Sequence, residues 1–288
     1  MRVFADLAEL AGDFQTFVLD VWGVLHDGAA PFPGVVEGLR EMRKRGCRVL
    51  LVSNTPSSEA ILALELAALG FPPDMYDGLA TSGEITRAAI RGLEPVGRSW
   101  LHIGPGVRAC LLGGLGFKRV DSPVRADFLL VSGLDDGQPD TESYADLLAE
   151  AFDRGRPMYC ANPDLGIVGA DGSITPCAGS LARMYQDMGG VVRSFGKPHA
   201  MIYDRLLSRR PGILKTETVA VGDSPATDIK GAQSAGLYAV LLAGGVAAAL
   251  AGGADIASIS ALCQRDDIIP DAILKRFTWT TEHPSCPR

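Results

Sequence analysis

What this chain lacks narrows its class before any motif is read. Its cysteines (Cys47, Cys110, Cys160, Cys177, Cys263 and Cys286) are widely scattered and form no C-x-x-C pair. That scatter suggests neither a zinc site nor a disulfide framework, and it suits buried thiols in a reducing cytoplasm. A basic excess is also missing. Lys and Arg number 27 against 34 Asp and Glu, a net charge of −7. The balance argues against nucleic acid or an anionic membrane as partner and leaves small charged metabolites open. The opening MRVFADLAELAGDF carries acids where an export signal needs a basic start and an apolar centre. Long apolar runs are scarce too. Residues 237–254 are uncharged and about long enough to span a bilayer, yet they divide into LYAVLLAGG, a strand closed by a Gly-Gly turn, and VAAALAGG, a short helix ended by glycines. No membrane span is expected.

What is present is a chain of 288 residues, 47% hydrophobic, enough for a substantial core and comfortable for two domains. No internal repeat or low-complexity tract interrupts it. The first third alternates strand and helix: TFVLD, a helix near 34–45, the apolar strand CRVLLVSN, and a helix near 57–69 stopped by Gly70. This order implies a parallel sheet with right-handed crossovers. The middle third has strand candidates in WLHIG, ADFLLVSG and RPMYCAN, separated by helices expected near 107–115, 142–154 and 178–188. Periodicity leaves open whether these continue the first sheet or form a second α/β layer. The last third returns to the opening style, with a helix near 200–208, the strand TVAVGD, a helix near 226–235 and the strand YAVLLAGG. The tail FTWTTEHPSCPR has no periodicity and reads as a frayed or loosely docked end.

Four stretches place small polar residues just after an apolar strand or just before a helix. In VLDVWGVLHDG (18–28), Asp20 stands where a buried strand should end. The C-terminal edge of a parallel sheet is where open α/β folds put their chemistry, although an aspartate there also starts ordinary turns. In VGDSPATDI, Asp223 and Asp228 offer clustered hard oxygens suited to Mg²⁺, or a turn residue followed by an acid on the helix dipole. In VSNTP, Ser53 and Asn54 supply a hydroxyl and an amide next to free backbone N–H groups, fit for a phosphate or for a helix cap. In FGKPH, Lys197 is constrained between Gly196 and Pro198, a cation that could neutralise crowded carboxylates or remain a surface lysine.

Taken in this order, the four stretches resemble the haloacid-dehalogenase-like (HAD) hydrolases. More narrowly, DVWGVLHDG with the following Pro33-Gly34, ANPD (161–164), FGKP and GDSPATDI resemble the class IIA, NagD-like phosphatase branch over nearly the whole chain. The resemblance implies an α/β fold with a Rossmann-like parallel-sheet core, residues 1–84 and 191–288, and an inserted smaller α/β cap, residues 85–190. It implies a cytoplasmic Mg²⁺-dependent phosphatase acting on a small phosphorylated metabolite, such as a sugar phosphate. Asp20 would attack phosphorus to give an aspartyl-phosphate. Mg²⁺ would be held by the carboxylates of Asp20 and Asp223 and the carbonyl of Trp22, with Asp228 in support. Ser53 and Lys197 would bind the phosphoryl oxygens, helped by Asn54.

One position departs from that pattern. Most phosphatases of this superfamily carry a second aspartate two residues after the nucleophile, and here Trp22 occupies the place. Losing a positioned acid/base costs about a hundred- to ten-thousandfold in rate. Three readings follow: a slow or selective phosphatase in which His26, Asp27 or the leaving group supplies the proton; a protein that binds a phosphorylated ligand with little turnover; or a dehalogenase-type hydrolase in which Asp20 attacks carbon. The Asp223 and Asp228 pair argues against the last, which needs no metal. Trp22 itself could simply pack into the core while its carbonyl serves the metal. Among cap residues, Asn162, Asp164, Arg183 and Arg193 are candidates for substrate contacts and equally for surface or capping roles. A homodimer through the cap is a further expectation, since a small α/β insertion often exposes an apolar edge.

Overall fold

The computed structural model describes residues 1–92, 97–138, 140–169 and 172–280. The first stretch holds strands β1 (Arg2–Phe4), β2 (Thr16–Asp20), β3 (Arg48–Ser53) and β4 (Gly78–Thr81), with helices α1 (Leu7–Leu10), α2 (Val35–Lys44), α3 (Glu59–Ala68) and α4 (Ser82–Gly92). The middle holds β5 (Ser99–Ile103), β6 (Lys118–Val120), β7 (Phe128–Val131), β8 (Met158–Cys160), β9 (Gly166–Val168), β10 (Ile174–Pro176) and β11 (Val192–Ser194), with α5 (Ala145–Asp153) and α6 (Ala178–Asp187). The last stretch adds α7 (Ala200–Ser208), β12 (Thr218–Gly222), α8 (Lys230–Ser234), β13 (Tyr238–Leu242), α9 (Gly245–Ala251), α10 (Ile256–Arg265) and β14 (Ala272–Leu274).

Among the described residues, the outer stretches build one parallel sheet in the order β1-β14-β13-β12-β2-β3-β4. From β2 the chain moves outward through β3 and β4, and from β12 it moves the other way through β13 and β14. The winding therefore reverses between β2 and β12, and open α/β sheets form a crevice at such a point. Both faces of the sheet are covered, so its strands are apolar at successive positions rather than alternating. Phe17, Leu19, Val49, Leu51, Val219 and Val221 face α1, α2 and α3 through Leu7, Leu39, Met42 and Leu66. Val18, Leu50, Ala220 and Leu241 face the other way, toward Ile202, Tyr203, Ile229 and Ile259.

The middle stretch is a separate parallel sheet, β11-β8-β7-β5-β6, with the antiparallel hairpin β9–β10 beside it. One face packs on α5 and α6 through Leu129, Val131, Leu148, Leu181 and Tyr185. From the other face, Trp100, Phe128 and Tyr159 join the cluster that holds Ile85 and Ile90 of α4. The pairing of β11 with β8 carries this sheet to Ser194, a little beyond the expected return to the core at residue 191.

Several local expectations need correction. No α-helix spans 107–115: a 3-10 turn at Gly106–Arg108 gives way to turns, because Gly113, Gly114 and Gly116 withdraw helix propensity. The helix expected near 226–235 begins as a π-helical turn, Pro225–Ile229, before α8. The tail is docked as far as residue 280. Phe277 is buried, Leu7 N–H donates to Thr278 O at 3.0 Å, Arg45 lies over the Trp279 ring and the Thr280 hydroxyl donates to Asp6. Two aromatic anchors outweigh the lack of periodicity, and residues 281–288, with Cys286, lie outside the described residues. Residues 237–254 divide into β13 and α9, and no single described helix is long and apolar enough to cross a membrane.

Phe17 is fully buried on β2, between the strands that carry the site. Phe17→Ala removes a ring the neighbours cannot replace and is expected to destabilise the fold by about 3–5 kcal/mol, read by urea unfolding.

Candidate active site

Strand register brings the distant motifs together. Leu19 of β2 lies opposite Val221 of β12, and Asp20 opposite Val52 of β3. Asp20 thus ends its strand beside the turn carrying Asp223 on one side and beside Ser53 on the other. The π-helical turn after β12 folds Asp228 back, with its N–H on Ser224 O at 2.9 Å and its carboxylate accepting from Ser224 N–H at 3.0 Å. Such wide turns commonly mark functional sites. Gly23 takes a positive φ of 84°, and a Cβ there would collide with the Asp223 carboxylate, so the loop after Asp20 can close on this site only without a side chain at that position.

Lys197 enters from the turn between β11 and α7. Asn54 clamps its backbone from both sides: Lys197 N–H donates to Asn54 Oδ1 at 2.8 Å, and Asn54 Nδ2 donates to Lys197 O at 3.1 Å. The side chain is only 2% exposed, and its ammonium donates to Asp20 Oδ1 and, at 2.6 Å, to Asp228 Oδ1. Burial pushes the Asp20 carboxyl well above the usual range, with Asp228 adding to the rise and Lys197 opposing it. Asp223 is pushed up to about 7 by burial and by Asp228, against the N–H of Val246 that donates to it at 2.7 Å. Burial alone would lower Lys197, but Asp20 and Asp228 more than offset it and hold the ammonium's pKa well above its ordinary value.

Oxygens of Asp20, Asp223 and Asp228 all lie within 4.8 Å of one another. Three buried carboxyl groups share one ammonium, and an all-oxygen donor set of this kind is suited to a hard divalent cation.

A short run of chain roofs this floor. The Asp164 carboxylate accepts from Asn54 Nδ2 at 2.8 Å, and Val168 O accepts from Trp22 Nε1 at 3.1 Å. The run from 164 to 168 is thereby tied to the loop after β3 and to the loop that continues from Asp20. Beneath it lies a cavity of about 830 Å³ whose lining includes Asp20, Ser53, Lys197, Asp223, Asp164 and Val168.

The structure thus brings together Asp20, Ser53, Asn54, Lys197, Asp223 and Asp228. Trp22 differs from the packing role: its indole turns away from the core to the hairpin and lines the cavity. The Asn54 amide is already engaged with Lys197 and Asp164 rather than free for a phosphoryl oxygen. His26 and Asp27 do not line the cavity. His26 Nδ1 accepts from Gly28 N–H at 2.9 Å, and Asp27 accepts from Ala29 and Ala30 N–H at 2.9 Å, so both serve the turn. Arg183 lies on the lining but is paired with Asp187 at 3.1 Å, while Arg193 sits outside it, 5.9 Å above the Tyr159 ring. Asn162 caps the turn by accepting from Asp164 N–H at 3.1 Å. One residue the motifs missed is Ser82, whose hydroxyl lies among the carbonyls of Asn54, Thr55 and Ala161 and joins the β3 loop to the roof. Its signal was the strand GLAT followed by Ser-Gly, the same pattern as the other four stretches.

Residues 17–118 match the family described as haloacid dehalogenase-like hydrolase, and residues 194–275 match the one described as HAD-hydrolase-like. The ribonucleotide monophosphatase NagD of Escherichia coli is 30% identical over 240 residues, which cover 81% of this chain and 88% of that protein. The chain belongs to the haloacid dehalogenase-like hydrolases. It sits in their class IIA, NagD-like branch, among hydrolases of phosphoric monoesters. A crystal structure of a haloacid dehalogenase-like hydrolase from Brucella suis 1330 matches with a TM-score of 0.82 at 32% identity, covering 95% of this chain and 99% of that one. The glycerol phosphate phosphatase of Mycobacterium tuberculosis, solved in complex with magnesium, matches with a TM-score of 0.62 at 26% identity over 81% of this chain and 69% of that one.

In this HAD-like hydrolase Lys197 is the only cation bonded to the Asp20 and Asp228 carboxylates among the described residues. Lys197→Met leaves those carboxylates buried without a partner, and in metal-free buffer it is expected to lower unfolding free energy by about 3–5 kcal/mol, measured by urea denaturation.

Proposed function

We propose that the protein is a Mg²⁺-dependent phosphatase that releases phosphate from a small phosphorylated metabolite through an aspartyl-phosphate on Asp20. The observation that carries this reading is the buried Asp20–Lys197–Asp228 arrangement, opening with Asp223 onto a cavity of metabolite size. Asp20 attacks the phosphorus in line with the departing oxygen, and water then cleaves the acyl phosphate. Lys197 opposes the rise that burial imposes on Asp20 and meets the phosphoryl charge as it arrives. Ser53 offers its hydroxyl to a phosphoryl oxygen. Asn54 acts at one remove, fixing the Lys197 backbone.

The donor set fits a divalent cation. Asp20, Asp223 and Asp228, with the Trp22 carbonyl, would hold Mg²⁺, which when bound supplies neutralisation of the phosphoryl charge. The same carboxylates weigh against carbon–halogen displacement. The binding-protein reading rests on Trp22, and it leaves a buried, lysine-paired Asp20 without a task. Substrate access lies between the two sheets, so we propose that the part built on β5–β11 acts as a cap that selects the substrate. The five cysteines that stay free in the fold are consistent with a cytoplasmic setting. Exposed Val191, beside edge strand β11, supports dimerisation through the cap.

Across a panel of sugar, glycerol and nucleotide phosphates, at least one is expected to release phosphate with Mg²⁺ present, fall to background in EDTA and recover when Mg²⁺ is restored. Asp20→Asn should stay at background throughout. If wild type and Asp20→Asn match on every substrate, the phosphatase reading is wrong.

A further inference from the structure

The acid/base position of the active-site loop is filled by Trp22, and neither His26 nor Asp27 reaches the cavity. The reaction still needs a proton for the leaving oxygen and a base for the incoming water. Within the cavity lining, the carboxylates other than those of the floor reduce to one among the described residues: Asp164. We propose that Asp164, carried on the roof rather than on the nucleophile's loop, is the general acid and base of this enzyme.

Three observations place it for that work. The run from 164 to 168 is tied at one end to Asn54, after β3, and at the other to Trp22, after β2. Asp20 ends β2 beside the strand that leads to Asn54 and two residues before Trp22, so the roof is anchored next to the nucleophile, and Asp164 lines the same cavity as Asp20. Asp164 is also held in place. Its N–H donates to Asn162 Oδ1 at 3.1 Å, its carbonyl accepts from Gly179 N–H at 3.1 Å and its Oδ1 accepts from Asn54 Nδ2 at 2.8 Å. Asn54 thus holds one carboxyl oxygen, the Thr227 side chain also bonds the carboxyl, and the group lines the same cavity as Asp20 and Lys197. Burial raises the Asp164 pKa above the usual carboxylate range, against the pull of Lys197 and the Asn54 bond, which favours the protonated form a general acid needs.

The steps balance. As the Asp20 oxygen bonds to phosphorus and the bond from phosphorus to the leaving oxygen breaks, the Asp164 proton passes to that oxygen, giving the free alcohol and an Asp164 carboxylate. The carboxylate then takes a proton from the water that attacks phosphorus. The bond between phosphorus and the Asp20 oxygen breaks, inorganic phosphate leaves, and both aspartates return to their starting states.

This inference rests on the phosphatase reading, and leaving-group dependence separates the two. An alkyl phosphate needs an acid for its leaving oxygen, whereas 4-nitrophenyl phosphate departs as a stable phenolate without one. Asp164→Asn keeps the shape and the Asn54 bond but carries no proton to give. It is expected to lower the alkyl rate by about 10²–10⁴-fold, and to lower the nitrophenolate burst at least ten times less, which also reports an intact site. Equal losses on both substrates would mean that Asp164 only holds the roof, and would overturn the inference while leaving the phosphatase reading standing. A wild type that releases phosphate from neither substrate overturns the reading and the inference together.

Discussion

The ammonium of Lys197 between Asp20 and Asp228 is the interaction on which the rest of this site depends. Buried charge is tolerated only when paired and hydrogen-bonded, and here one cation serves carboxylates from two strand ends. To reach them it must enter from a third element at a fixed angle, and that angle is set by the two backbone bonds from Asn54. Remove the clamp and the lysine loses its register. Remove the lysine and the carboxylates lose their partner. The reversal of winding between β12 and β2 matters because it opens the sheet edge where this group can assemble without strands in the way.

Much of this was legible in the sequence for a physical reason. Strands covered on both faces are apolar throughout, so TFVLD, RVLLVS and TVAVG stand out, and the small polar residues that follow them mark the sheet's C-terminal edge. The order of Asp20, Ser53, Lys197 and Asp223 was therefore readable, and their meeting follows from register. What was not readable depends on contacts between distant segments. The side-chain direction of Trp22 is set by Val168, 146 residues away, and the role of Ser82 by Ala161. How firmly the tail docks was not readable, because Phe277 and Trp279, the two aromatics that anchor it, leave no periodic trace. No α-helix forms over 107–115 because Gly113 and Gly114 lower the helix propensity of an otherwise apolar stretch.

The roof shows how a polar device can be divided between two bodies. Asn54 bonds Lys197 on the floor and Asp164 above it, so one amide couples the position of the cation to the position of the covering segment. A side chain that serves both is poorly placed to serve a ligand as well, which explains why a residue expected to meet phosphate acts instead on its neighbours. Ser82 repeats the arrangement on a smaller scale, linking the β3 loop to the start of the ANPD run.

The hydrogen bond from Trp22 to Val168 has a kinetic side. Where the family's pattern places a carboxylate, Trp22 instead directs its indole N–H to the carbonyl of Val168 in the roof. Lifting residues 164–168 off the loop after β2 would part that bond, and a single neutral hydrogen bond is worth about 0.5–1.5 kcal/mol net. That is a slowing of the opening by about tenfold at most, small beside a chemical barrier yet enough to lengthen the time a bound molecule stays shielded from water.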